Sequence, residues 1–139
     1  MSPKIVPELD VANLATSLRF YIGLAGFRVL YDRPEERFAY LDLDGAQLML
    51  EEAAGPGRRF RTAPLEHPYG RGMNLQIEVA DADALWLRMR DTAAILVPRE
   101  ERWYRREDSE VGVCQFVAED PDGYLLRFSS SLGTRPAIP

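Results

Sequence analysis

The first stretch of the chain alternates. In "KIVPELDV", Ile5, Pro7, Leu9 and Val11 fall on one face, and Val6, Glu8 and Asp10 on the other. A period of two predicts a strand with one dry side. "ANLATSLRFYIGLAGF" changes period: Leu14, Leu18, Tyr21 and Ile22 recur at helical spacing, Asn13 is placed to cap the helix, and Gly23 or Gly26 can end it. "FRVLYDR", "RFAYLDL" and "AQLMLEE" then read as three strands, separated by the turn signals "PEE" and "DG". The predicted order is strand, helix, three strands.

Residues 53–71, "AAGPGRRFRTAPLEHPYGR", break this regularity and read as a linker or a long functional loop. The pattern then restarts. "GMNLQIEV" sets Met73, Leu75, Ile77 and Val79 against Asn74, Gln76 and Glu78, Asp81 can cap a helix over "ADALWLRMR", and "AILVPREERWYR", "VCQFVAE" and "YLLRFSS" follow as strand candidates. Pro98 leaves Ala94 to Arg106 open between helix and strand. "VAN" at 11–13 matches "VAD" at 79–81, 68 positions on, and "DGAQLML" at 44–50 matches "DGYLLRF" at 122–128, 78 positions on. The ten extra residues belong to the later strands of the second half. The expected fold is α+β: one domain over 1–139, built of two tandem βαβββ modules (1–52 and 72–132) joined by loop 53–71, with curved mixed sheets around a cleft.

One helix covers one sheet face, so the other faces should line that cleft. They carry Glu8, Asp10, Phe38, Tyr40, Asp42, Gln47, Met49 and Glu51 in the first module, and Asn74, Gln76, Glu78, Leu125, Arg127 and Ser129 in the second. Alternation alone fits solvated outer faces equally well. Trp86 aligns with Leu18 and is expected in the core, while Trp103 and Tyr104 suit either ligand stacking or packing in the core or at a dimer interface.

Charge narrows the function classes. Lys plus Arg is 17 against 22 Asp plus Glu, a net charge of −5, and acids interrupt the basic run "REERWYRRE". No nucleic-acid partner is expected, and cationic partners are favoured. No apolar run reaches the roughly 20 residues of a membrane span, and "MSPKIVPELD" lacks an apolar leader core, so the cytoplasm is the expected compartment. The single cysteine, Cys114, lies in an apolar strand and reads as a core thiol. The single histidine, His67, sits in the Pro-flanked "LEHPYG", and no elbow motif accompanies it, so no triad is supported.

"VPELDVANLATSLRFYIGLAGF" and "EDPDGYLLRF" together resemble the vicinal oxygen chelate superfamily, the glyoxalase, bleomycin-resistance and extradiol-dioxygenase group. Ser17, Phe20-Tyr21 and Gly26-Phe27 match the family's first helix, and the Asp-Pro-Asp-Gly turn matches its entry to the last strand. Metal-dependent members carry ligands on the first and fourth strands of each module. Residue by residue, those positions are Val6, Met49, Asn74 and Arg127. Val has no donor, Arg is a permanent cation, and Asn and Met are poor anchors, so no metal and no cofactor is expected.

The resemblance then implies a non-catalytic binder of the bleomycin-resistance type. It would be a homodimer that sequesters a cationic or aromatic small molecule, such as a bleomycin-type antibiotic, in an acidic cleft. The expected ligand-binding residues are Glu8, Phe38, Tyr40, Asp42, Met49, Glu51, Asn74, Gln76, Glu78, Trp103, Tyr104 and Arg127. Loop aromatics Phe60 and Tyr69 could add stacking. Two alternatives stay open: a glyoxalase- or dioxygenase-like enzyme with a metal shifted onto Glu8, Glu51 and Glu78, and a metal-free enzyme using Glu8 or Glu78 as base with Arg127 stabilising an anion. For Arg127, ion pairing with Glu8 and Glu78 is a further expectation.

Overall fold

A computed structural model describes residues 3–138. The chain divides into two compact units: residues up to Tyr69 together with Pro121–Gly123, and Gly70–Asp120 together with the chain from Tyr124 onward. Each unit holds one four-stranded mixed sheet, neither of them closed, and one α-helix; the first adds a short 3-10 turn at Pro34–Glu36.

In the first unit β1 (Glu8–Val11) leads into helix α1 (Leu14–Leu18), and then into β2 (Arg28–Arg33), β3 (Phe38–Leu43) and β4 (Ala46–Glu52). The sheet order is β1-β4-β3-β2, with β1 parallel to β4 and the other pairs antiparallel. β1 is shorter than the alternation predicts: it starts at Glu8, and Ile5 is 82% exposed. Leu9, Val11, Leu41, Leu48 and Leu50 are buried on the helix side. Asn13 caps α1, its side-chain oxygen accepting from the Thr16 amide at 2.9 Å. After Leu18 the helix widens into a π-type turn over Arg19–Leu24. That widening rotates the inner face, so Ser17, Phe20, Tyr21 and Ala25 are buried and Ile22, expected inside, is exposed.

The β3–β4 hairpin turns through Asp44 and Gly45, both at positive φ, as the "DG" pair predicts. Asp42 braces it. One carboxylate oxygen accepts from the Gly45 amide and from Gln47 Nε2, each at 3.1 Å, and the other from Arg28 Nε at 3.4 Å. The Gln47 bond, then the Gly45 amide and Arg28, hold the Asp42 carboxyl below its ordinary value.

The second unit repeats the plan with β5 (Asn74–Glu78), α2 (Ala82–Met89), β6 (Ala94–Arg106), β7 (Ser109–Glu119) and β8 (Leu125–Pro136), in the order β5-β8-β7-β6 with β5 parallel to β8. Asp81 caps α2 through the Ala84 amide. Ile77, Cys114, Phe116, Ala118, Leu126 and Phe128 form the core with Leu85 and Met89 of α2. Met73, expected on the inner face, precedes β5 and is exposed. Trp86 is half-buried, its ring 5.3 Å from Phe116, while Leu85 is the deeper residue. The open question over 94–106 resolves as strand: Pro98 sits in a register shift between Val97 and Glu100 on the edge strand, where no ladder donor is required. The ten extra residues of this half, which fall before Asp122, lengthen β6 and β7.

The "DPDG" turn divides its work. Asp120 stays with the second unit and accepts from the Tyr124 amide at 2.9 Å. Asp122 belongs to the first, where it accepts from the Ala12 amide at 3.1 Å and its carbonyl accepts from Tyr69. Gly123 has φ +93, and a Cβ there would strike Pro68.

Phe116→Ala empties the centre of the second core and is expected to cost about 3–5 kcal/mol, measured by urea unfolding. Asp42 has a lowered carboxyl pKa, so its contribution is present above the unfolded value and lost as pH falls through the folded one. Wild type should therefore exceed Asp42→Asn in melting temperature at pH 6, with the gap closing below about pH 4.

Candidate functional site

The sheet face opposite α1 is organised in rows across the strands. One row runs Glu8, Met49, Tyr40, Tyr31, set by the pairings Glu8 with Met49, Met49 with Tyr40 and Tyr40 with Tyr31. The two tyrosine rings stack with centroids 4.9 Å apart and planes 16° apart. The Tyr40 hydroxyl donates to Gln47 at 2.7 Å. Tyr31 reaches this position because β2 bulges between Val29 and Tyr31. The neighbouring row runs Asp10, Glu51, Phe38, Arg33. Here cations are already in place: Arg33 lies 3.9 Å above the Phe38 ring, and Arg59 bridges Asp10 at 2.9 Å and Glu51 at 2.6 Å. Arg61 adds a second pairing to Asp10 at 2.8 Å.

Asp10 and Glu51 thus meet two arginines, while Glu8, the third acid of the face, forms no ion pair among the described residues. Burial first, then the charge of Glu51, pushes the Glu8 carboxyl above its ordinary value, with Arg59 pulling the other way. Asp42, on the same face, has its oxygens committed to the hairpin. An open depression of about 450 Å³ lies beside it, lined by Gly26, Arg28, Leu43, Asp44 and Gly45 as well.

The corresponding face of the second unit is neutral but for a few charges. Asn74, Gln76 and Glu78 pair in register with Leu125, Arg127 and Ser129. Arg127 is half-buried and donates to Gln76 Oε1 at 2.8 Å, and Gln76 Nε2 donates to Ser129 at 3.3 Å. The expected ion pair of Arg127 with Glu78 is absent among the described residues, because Gln76, directly across the ladder, is the nearer acceptor. Glu8, the other expected partner, has Glu51, Arg59 and Asp10 around it in its own unit. Gln115, 3% exposed, donates to Glu100 at 2.9 Å and to the Tyr104 hydroxyl at 2.7 Å. Trp103 and Tyr104 point to opposite faces. Trp103 is half-buried, against Gly112, where a Cβ would collide with its ring, and under Arg135 at 4.1 Å.

The donor set does not fit a metal. The residue facing Met49 in register is Glu8, and the one facing Arg127 is Gln76, while Val6 precedes the strand. A guanidinium sits at one of the four positions, and another bridges Asp10 and Glu51. Among the described residues no group of three or more His, Cys, Asp or Glu side chains is placed to hold an ion. Cys114 is buried in the core, its thiol pushed up chiefly by burial. His67 lies in the loop beside Tyr69, with ring centroids 6.3 Å apart. No helix of the described residues is long and apolar enough to cross a membrane.

Sequence reasoning missed Tyr31, Arg59, Arg61, Glu100 and Gln115. Gln115 was legible, being the polar phase of "VCQFVAE". Tyr31 was not, because the bulge that sets it opposite Tyr40 leaves no mark on the alternation.

Comparison with known proteins agrees with these observations. Residues 7–128 match the family described as the Glyoxalase/Bleomycin resistance protein/Dioxygenase superfamily. No curated protein matches the chain. Among solved structures, TioX from Micromonospora sp. ML1 superposes with a TM-score of 0.73 at 21% identity, over 94% of this chain and all of that one. A protein of unknown function from Agrobacterium tumefaciens str. C58 gives 0.69 at 25% identity, over 95% and 96%. A glyoxalase/bleomycin resistance protein/dioxygenase superfamily member from Vibrio splendidus 12B01 is 36% identical over 91% of this chain and 97% of its own, with a TM-score of 0.42; here the sequence, not the superposition, carries the kinship. The chain belongs to the glyoxalase/bleomycin resistance protein/dioxygenase superfamily.

Proposed function

We propose that this protein binds a small molecule without transforming it, in the manner of bleomycin-resistance proteins, and that the ligand joins a flat aromatic ring to a cationic group. The row Glu8, Met49, Tyr40, Tyr31 carries the reading: a carboxylate without an ion pair among the described residues, a soft thioether and a stacked pair of phenol rings stand side by side on one sheet face. A ring can extend the tyrosine stack while a cation meets Glu8. The adjacent row supports this, since acids and an aromatic ring in the same order are met there by arginines of the chain itself. A bleomycin-type antibiotic fits the class. The homodimer, implied by the family resemblance, and the cytoplasmic setting, expected from the sequence, belong to the same proposal.

A second reading has one observation in its favour. Glu8, held above its ordinary value, suits a general base, and a metal-free enzyme would use it so.

Calorimetric titration with metal-free bleomycin tests the leading reading. Tyr31→Ala should weaken binding by about 2–10-fold, the worth of one aromatic pair. Glu8→Gln should weaken it also, yet raise the melting temperature of the free protein at pH 7. The sign follows from the raised pKa: ionised Glu8 costs stability above its folded value, and the cost vanishes below the ordinary value of 4.5. Absence of heat at high micromolar protein would remove bleomycin as ligand, and conversion of a bound ligand would favour the enzyme.

A further inference from the structure

We propose that residues 53–61 form an autoinhibitory strap, in which Arg59 occupies the Asp10–Glu51 pair and competes with the cationic group of an incoming ligand. This rests on the first module's polar face being the ligand face.

The strap is held by charge. Arg59 pairs with Asp10 and Glu51 and donates to the carbonyls of Glu52 and Arg58. Arg61 pairs with Asp10 and donates to the Ala53 carbonyl at 2.8 Å. Apolar packing contributes little: Phe60, the strap's one large apolar side chain, is 73% exposed, with Arg58 laid on it from outside at 4.8 Å. A segment docked by ion pairs can be exchanged for another cation, whereas one docked by a buried aromatic could not. The backbone is shaped for the approach. Gly57 sits directly against the Glu51 carboxylate, where any Cβ would collide, and "GPG" at 55–57 supplies the bend. With Arg59 in place the Glu51 side chain is only 5% exposed, so a ligand cation reaches it only by displacing Arg59. Glu8, two residues before Asp10 on the same strand face and in no ion pair among the described residues, keeps a negative charge to attract the ligand first.

The geometry also names the ligand group. Asp10 and Glu51 are bridged by a planar, forked cation, so a guanidinium or amidinium replaces Arg59 better than an ammonium.

The test uses benzamidine, a flat aromatic amidinium, on the full chain. A strap closed about nine-tenths of the time lowers apparent affinity about 10-fold, so Arg59→Gln should bind benzamidine about that much more tightly than wild type. Adding Glu51→Gln should abolish the gain. In wild type, saturating benzamidine should move the Arg59 Nε–H resonance to its solvent position, a readout that stands even if the variant folds poorly. Equal affinity in wild type and Arg59→Gln with the Arg59 resonance unmoved overturns the strap and leaves the binding reading intact. No binding of benzamidine to any form also overturns the strap, and the bleomycin titration then judges the binding reading separately.

Discussion

Each module has a single α-helix for a four-stranded sheet, so one face of every sheet gets no apolar cover from its own module's α-helix. Side chains on that face have to find polar partners or remain wet. The two modules meet this constraint differently. The first bears acids and draws arginines from its own following loop onto them. The second bears amides and joins them into short hydrogen-bonded runs, Arg127 to Gln76 to Ser129 and Gln115 to Glu100 and Tyr104. The same fold thus presents two chemically distinct surfaces.

What stands on those surfaces is set by register. β1 runs parallel to β4, and β5 to β8, so Glu8 faces Met49 and Gln76 faces Arg127. A slip of one residue would turn each strand's polar set into the core. The helix caps Asn13 and Asp81 and the "DG" turn hold that register from the ends. The repeat in the sequence is therefore a repeat of constraint, and it leaves the chemistry of the open face free to diverge.

This explains what could be read from the sequence. The strand–helix–three-strand order, the caps and the inward phase of Leu48, Leu126 and Phe128 follow from periodicity, because burial enforces it. The polar faces were legible as sets of residues. Their connections were not. Arg59 reaches Asp10 from a loop without periodicity, Tyr31 enters through a bulge, and Ile22 leaves the core through a π-type turn. Local irregularities of one residue re-aim side chains without changing composition. The pairing of Arg127 likewise depended on which acceptor lay across the ladder, an amide rather than a carboxylate.

Met49 stands at the centre of the first module's polar face, between Glu8 and Tyr40, and its methyl group reports on that face directly. The decisive measurement is a methyl carbon–proton spectrum of methionine-labelled protein, with and without saturating ligand. If the polar face is the binding surface, the Met49 methyl shifts on binding while that of Met89, buried in the second core, stays in place. A ligand that binds and leaves Met49 unmoved would contradict the account.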